Sequence, residues 1–226
     1  MAMKKINTPD NHRFYSKNLL YSSFVVMLGI IFVSLFSYEV LKVIAKSKDY
    51  WSAFAIVPLL SISVFFTNLR ETSNYGLIIN KRTGIIGIIV VVSSLLNIGL
   101  NILLIPYLNM YGAAVATILT QCLFWYLCYY YSQKEYFIPF ELKKVAIMFI
   151  AGSVLSFGGL LINDIHWLPR ILIKLAMVGS FPFILYLFNF YEAAELQAIQ
   201  GFAKKWRQLG NLKENIRSLA RIPNEF

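Results

Sequence analysis

The sequence predicts an all-α, polytopic membrane bundle of six transmembrane helices followed by a C-terminal amphipathic helix. Three observations predict it. Hydrophobic residues make up 58% of the 226 positions and charged residues only 14%, against about 25% charged in ordinary soluble domains. The charges are gathered into short clusters, leaving apolar runs close to the roughly 20 residues that a helix needs to cross a hydrocarbon core about 30 Å thick. Finally, no run shows the ten-residue alternation of a transmembrane β-strand.

Residues 1–17 form a basic, polar N-terminal segment, and the membrane domain is expected over 18–191. Its first span, about 18–41, is a full crossing in length. Its apolar run ends at Tyr38, and Glu39 and Lys42 come next rather than a small-residue cleavage site, which argues against a signal peptide. The second, about 51–70, opens with Trp51 and closes at Arg70 and Glu71. The uncharged stretch from Thr83 to Gln133 is long enough for two crossings. It divides at Pro106, which lacks an amide hydrogen and disfavours helical geometry in the residue before it, so the third span, about 84–106, should end or kink near Ile105.

Gly112 then permits a tight turn into the fourth span, about 111–131, where Gly112, Ala113, Ala116 and Thr117 make a smooth face that another backbone can approach. Cys122 and Cys128 lie on different faces of that helix and read as small packing residues rather than a disulfide. The fifth span is about 145–163. The sixth, about 168–191, carries Arg170 and Lys174 near its start. Beyond it, in the basic tail 192–226, Leu196, Ile199, Phe202, Trp206, Leu209, Leu212, Ile216 and Leu219 recur every three or four residues between lysines and arginines. That pattern predicts an amphipathic helix on the membrane surface or against a neighbouring protein.

Placing both termini in the cytoplasm puts sixteen of the 21 Lys and Arg on that side, leaving Lys42, Lys46, Lys48, Arg170 and Lys174 outside. The positive-inside rule therefore selects this orientation. The net charge of +10 is accounted for by topology and by attraction to anionic lipid headgroups, and requires no nucleic acid.

Polar groups within the spans are the candidates for function, because an unpartnered one in hydrocarbon costs several kcal/mol by the usual estimate, on the order of 2–7. Asn97 and Asn101, four apart, share a helix face and either bond to a neighbouring helix or line a polar cavity. Arg70 and Lys174 either snorkel to the interface or face the bundle interior, where a cation is a functional candidate. His12 and His166 stand alone. No metal-ligand spacing, glycine-rich phosphate loop or nucleophile with a nearby base is present, so neither enzyme chemistry nor a cofactor is expected.

The stretch LNILLIPYLNMYGAAVATILTQ, from Leu100 to Gln121, resembles the signature of the polysaccharide (Wzx-type) flippases of the multidrug/oligosaccharidyl-lipid/polysaccharide exporter superfamily. There an asparagine-containing helix ends in Leu-Ile-Pro and the next opens with Gly-Ala-Ala-x-Ala-Thr, here Gly112, Ala113, Ala114, Ala116 and Thr117 after Pro106. FSYEVLKVIAKSKDYWSAFAIVPLLSISVFF and GLIINKRTGIIGIIVVVSSLLNIGLN upstream are similar to the segments that precede this signature. The resemblance covers roughly residues 15–132, with the remainder similar in hydropathy only.

The resemblance implies a two-lobed transporter that moves undecaprenyl-diphosphate-linked sugar repeat units across the bacterial inner membrane for O-antigen, capsule or exopolysaccharide synthesis. The six spans would correspond to part of the second lobe, and Pro106 and Gly112 to an external hairpin. Fixed cations in a hydrated cavity would hold the diphosphate: Arg70 first and Lys174 second, with Asn97 and Asn101 as sugar or packing contacts. Six helices supply at most one half of an alternating-access machine. The chain is therefore expected to be inactive alone, as a truncated product, as one part of a split transporter completed by an N-terminal lobe on another chain, or as a homodimer. Two other functions stay open: a drug exporter of the same superfamily, and a non-transporting membrane subunit that binds a polysaccharide polymerase or glycosyltransferase.

Overall fold

The computed structural model describes residues 11–45, 48–192 and 195–197, and among them the secondary structure is helical throughout. Helix α1 runs Asn11–Ile44, α2 Val57–Ser73, α3 Tyr75–Ile79, α4 Thr83–Leu108, α5 Met110–Glu135, α6 Leu142–Gly158 and α7 Trp167–Leu187. Short 3-10 stretches at Lys48–Ile56 and Gly159–Ile162 lead into α2 and out of α6. Six helical segments are long and apolar enough to cross a bilayer, with α2 and α3 together making the second, Ala53–Ile79. In lipid a backbone must satisfy its own hydrogen bonds, so each apolar run closes into a helix regardless of intrinsic propensity.

Residues up to Ile184 form one compact unit. Its centre is α1, which packs against α2 and α6; α2 packs against α5, and α5 against α4. An aromatic group made of Phe65 and Phe66 on α2, Trp125 on α5 and Phe149 on α6 joins three helices, with the Phe65 and Phe149 rings 5.2 Å apart. The Phe24 and Phe181 rings, 5.7 Å apart, bring α7 onto α1. In the second unit, from Leu185 onward, the Phe190 amide bonds back to the Leu185 carbonyl and the Glu192 amide to the Glu195 carboxylate. The predicted amphipathic tail helix falls almost wholly outside the described residues.

Several hydroxyl groups in the spans turn to their own helices. Thr67, Thr72, Thr117 and Thr120 each donate to the carbonyl four residues back, which satisfies them without a partner helix.

Several boundaries differ by a few residues from those expected, and three of the differences bear on packing. Helix α1 starts at Asn11, inside the expected N-terminal segment. At 34 residues it is roughly 51 Å long, well beyond the ~30 Å hydrocarbon core, and its first turns are held by the connection between α5 and α6. There His12 Nδ1 meets the Phe137 carbonyl at 2.7 Å, Ser16 donates to the Pro139 carbonyl at 2.8 Å, and Lys17 reaches Glu141 at 2.9 Å.

Second, α4 continues through Pro106 to Leu108 rather than ending near Ile105. The reversal comes at Asn109, whose φ of 50° supplies the left-handed geometry expected of Gly112. Gly112 lies inside α5, and a Cβ there would sit 2.5 Å from the Leu104 carbonyl oxygen of α4. The glycine is thus needed for helix contact, not for the turn. Third, the helical path of the second span does not stop at Arg70 and Glu71 but runs on to Ile79.

Glu141 lies just outside the α6 span, between Lys17 and Lys144, whose ammonium groups are 2.9 and 2.6 Å from its two oxygens. Partial burial alone would raise its pKa. The hydrogen bonds and charges of Lys144 and Lys17 outweigh that and hold the carboxyl below its ordinary value of 4.5. A carboxylate with a depressed folded pKa contributes stability that is present above the unfolded pKa and lost as pH falls through the folded one. Glu141→Gln should therefore be less stable than the parent at pH 6, by on the order of 1 kcal/mol, with the gap closing below about pH 4.5 in thermal melts of detergent-solubilised protein. A gap that stays constant to pH 3 would show that the pair contributes nothing.

Candidate functional site

Arg70 lies inside the membrane-crossing segment, roughly 13 Å from its Ile79 end at about 1.5 Å per residue. Its guanidinium Nη1 donates to Gln121 Oε1 of α5 at 3.3 Å, its plane lies 4.4 Å from the centre of the Phe124 ring, and Nη2 pairs with the neighbouring Glu71. The Arg70 side chain is 17% exposed, whereas that of Glu71 is 63% exposed. A carboxylate at this depth, turned to the outside of the helices, is poorly suited to lipid. Even the mildest scale puts a charged residue at the centre of a membrane helix at about 2.5–3.5 kcal/mol. This face of α2 is built for water or for another protein.

Beside it, an open cleft of about 350 Å³ lies between α4 and α5, lined by Ser93, Ser94, Asn97, Thr117, Thr120 and Gln121 among others. Asn97 Nδ2 donates to Thr120 Oγ1 at 3.3 Å, and Asn101 Nδ2 donates to Asn97 Oδ1 at 2.9 Å. The four-residue spacing does put both amides on one face, but only Asn97 lines the cleft, with Asn101 orienting it. Ser93 Oγ is buried without a hydrogen-bond partner among the described residues. Gln121 joins the two features, since it lines the cleft and accepts from Arg70.

The signature residues hold α5 in place along this cleft. Gly112, Ala114 and Ala116 are buried, Ala113 and Thr117 are half-buried, and Pro106 is exposed on the last turn of α4. Of these only Thr117 lines the cleft. Cys128 packs with Ile89 and Phe124, and both cysteines are free.

Lys174 is elsewhere. It sits near the end of the molecule where α1 stops and α7 starts, its side chain fully buried. Its ammonium contacts Glu39 Oε1 and Oε2 at 2.8 Å each and Asn163 Oδ1 at 2.9 Å. Three acceptors meet its three protons, so the group neither snorkels nor offers a donor to a ligand. Arg170 Nε lies 2.8 Å from the same carboxylate, and its Nη1 donates to the Asn163 and Ile165 carbonyls. Tyr38 places its ring 4.9 Å from the Arg170 guanidinium. The cluster ties α1, α7 and the turn between α6 and α7 into one structural lock.

The structure thus brings together Arg70 and Asn97, keeps Asn101 behind them, and leaves Lys174 out. Sequence alone leaves Gln121 and Ser93, like Asn97 and Asn101, open between helix packing and a polar cavity, whereas it misses Glu71 as an outward-facing charge and Glu39 as the partner of Lys174. Among the described residues no group of three His, Cys, Asp or Glu is placed to hold a metal ion.

Six apolar spans packed as helices among the described residues define an all-α, multi-pass membrane protein. No family model, curated protein or solved structure matches it.

Proposed function

We propose that this chain is part of the second lobe of a lipid-linked oligosaccharide flippase, set in a bacterial inner membrane with both termini cytoplasmic. The observation that carries the reading is the pair of a largely buried Arg70 with an outward-facing Glu71, well within the span and continuous through Gln121 with the polar cleft between α4 and α5. A single six-helix bundle leaves the Glu71 carboxylate facing lipid. A second lobe, across a hydrated cavity, would face the pair with water and substrate. In that frame Arg70 holds a phosphate of the undecaprenyl-diphosphate headgroup, because a guanidinium in low dielectric binds phosphate strongly. Asn97, Ser93 and Gln121 offer hydrogen bonds to the attached sugar. The resemblance between Leu100 and Gln121 supports the substrate class. A first lobe supplies the other half, since alternating access needs two halves moving against one another.

Complementation of a strain lacking its polysaccharide flippase tests the proposal. The chain alone should restore no surface polysaccharide, and the chain with a supplied first lobe should restore it. Arg70→Gln in the restored background should lower export at least tenfold, as expected for loss of a charge-assisted hydrogen bond of about 1.5–3 kcal/mol. Export unchanged by Arg70→Gln would remove Arg70 from the site, and no export even with the lobe would count against transport. Efflux of cationic dyes from the same cells would instead assign a drug exporter.

A further inference from the structure

A second groove, about 360 Å³, lies at the contact between α4 and α5 nearer the start of α4 and is lined by Ile85, Ile88, Ile89, Val92, Leu127 and Tyr131. Successive helical residues turn about 100°, so Ile85, Ile88 and Val92 point away from the Ser94 and Asn97 side of α4. Buried Ile89 and Phe124 pack between the two openings, one lining each. Apart from the Tyr131 hydroxyl, the groove has apolar side-chain walls. It is suited to hydrocarbon and to nothing polar.

What lies at one end of the groove says which hydrocarbon. Lys81 and Arg82 immediately precede α4, and Lys134 follows Tyr131 by one turn on the same stripe of α5; all three are exposed. One carboxylate is set against them, Glu135, whose oxygen is 3.7 Å from Arg82 Nε. The Lys134 ammonium lies 4.5 Å from the centre of the Tyr130 ring. Tyr130 and Tyr131, within about one turn of Lys134, are both exposed, as in the amphipathic belt expected where headgroups meet hydrocarbon. From Arg82 to Val92 the helix rises roughly 15 Å at about 1.5 Å per residue, one half of a ~30 Å hydrocarbon core. An excess of cations at headgroup level above a groove one leaflet deep matches an anionic lipid in both charge and length.

We infer that the groove between α4 and α5 is a binding site for one acyl chain of an anionic glycerophospholipid, with Arg82, Lys81 and Lys134 holding its phosphate. The site uses the leaflet at the α1 N-terminal end and is separate from the polar cleft and from any transported substrate.

Native mass spectrometry of the purified full chain tests this, using equal phosphatidylglycerol and phosphatidylcholine of matched acyl chains. The parent protein should retain phosphatidylglycerol in preference, by about fivefold for each cation that contributes. Lys81→Gln, Arg82→Gln and Lys134→Gln combined should bring the two lipids close to parity. Ile88→Trp, at a position 68% exposed and so tolerant of size, should fill the groove and reduce retention of both lipids. Val91→Trp, on an exposed apolar face outside the groove, should not. Equal retention of the two lipids by the parent would overturn the headgroup assignment. Equal behaviour of Ile88→Trp and Val91→Trp would overturn the groove. Thermal unfolding of each variant confirms that the folded protein is being compared.

Discussion

Lys174→Met is expected to destabilise the protein more than either Glu141→Gln or Gly112→Ala. It removes the cation from a site where Glu39 is bound through both oxygens and leaves the carboxylate to Arg170 alone. Breaking a buried pair by removing one partner typically costs about 3–5 kcal/mol, because the other charge stays desolvated. At roughly 2–4 °C per kcal/mol for a chain of this size, the Tm in detergent should fall by about 6–20 °C. Lys174→Met combined with Glu39→Gln should recover a large part of that loss, since Arg170 keeps the Asn163 and Ile165 carbonyls as acceptors. Additive single losses would mean that the two residues do not act as a pair. A Tm within about 2 °C of the parent for Lys174→Met alone would mean that the ammonium reaches water.

Gly112→Ala should be the second most damaging. Its Cβ would meet the Leu104 carbonyl, which belongs to the backbone of α4 and cannot swing aside as a side chain could. The helices must separate, at a cost of about 1–3 kcal/mol for overpacking, and Gly112→Leu should be worse. Gly99→Ala is the control, since it has the same chemistry and helical setting with no atom within 4 Å of the added methyl. That variant should stay within about 0.5 kcal/mol of the parent. Equal unfolding temperatures for the two alanine variants would show that α4 and α5 are not in tight contact at the hairpin.

The six crossings were legible because lipid imposes one requirement on every span, a run of apolar residues long enough to cross, and charges punctuate those runs. The same criterion mislaid Arg70. Counting stops at a charge, yet a helix inside a protein carries one when Gln121 and Phe124 from another helix receive it. The shared face of Asn97 and Asn101 could be read from spacing alone. Their bond to Thr120 could not, since it depends on where α5 lies. At the start of α1 the polar Asn11–Lys17 turns fell in the N-terminal segment outside the expected span, and they are held by Phe137, Pro139 and Glu141, more than a hundred residues away. Glu39 had the weakest signal of all, a lone acid after the first span, and only the fold sets it against Lys174. A paired count of opposite charges near the same membrane face would have raised it as a candidate.

The central position of α1 bears on how the protein is made. Among the spans it is the first to be synthesised, and the carbonyls and carboxylate that receive Ser16 and Lys17 arrive with the connection before α6, about 100 residues later. At roughly 5–20 residues per second, that interval is on the order of 5–20 s. During it the hub of the bundle has α2 beside it but not α6 or α7, so the faces of α1 that those helices cover in the finished protein stay uncovered until they emerge.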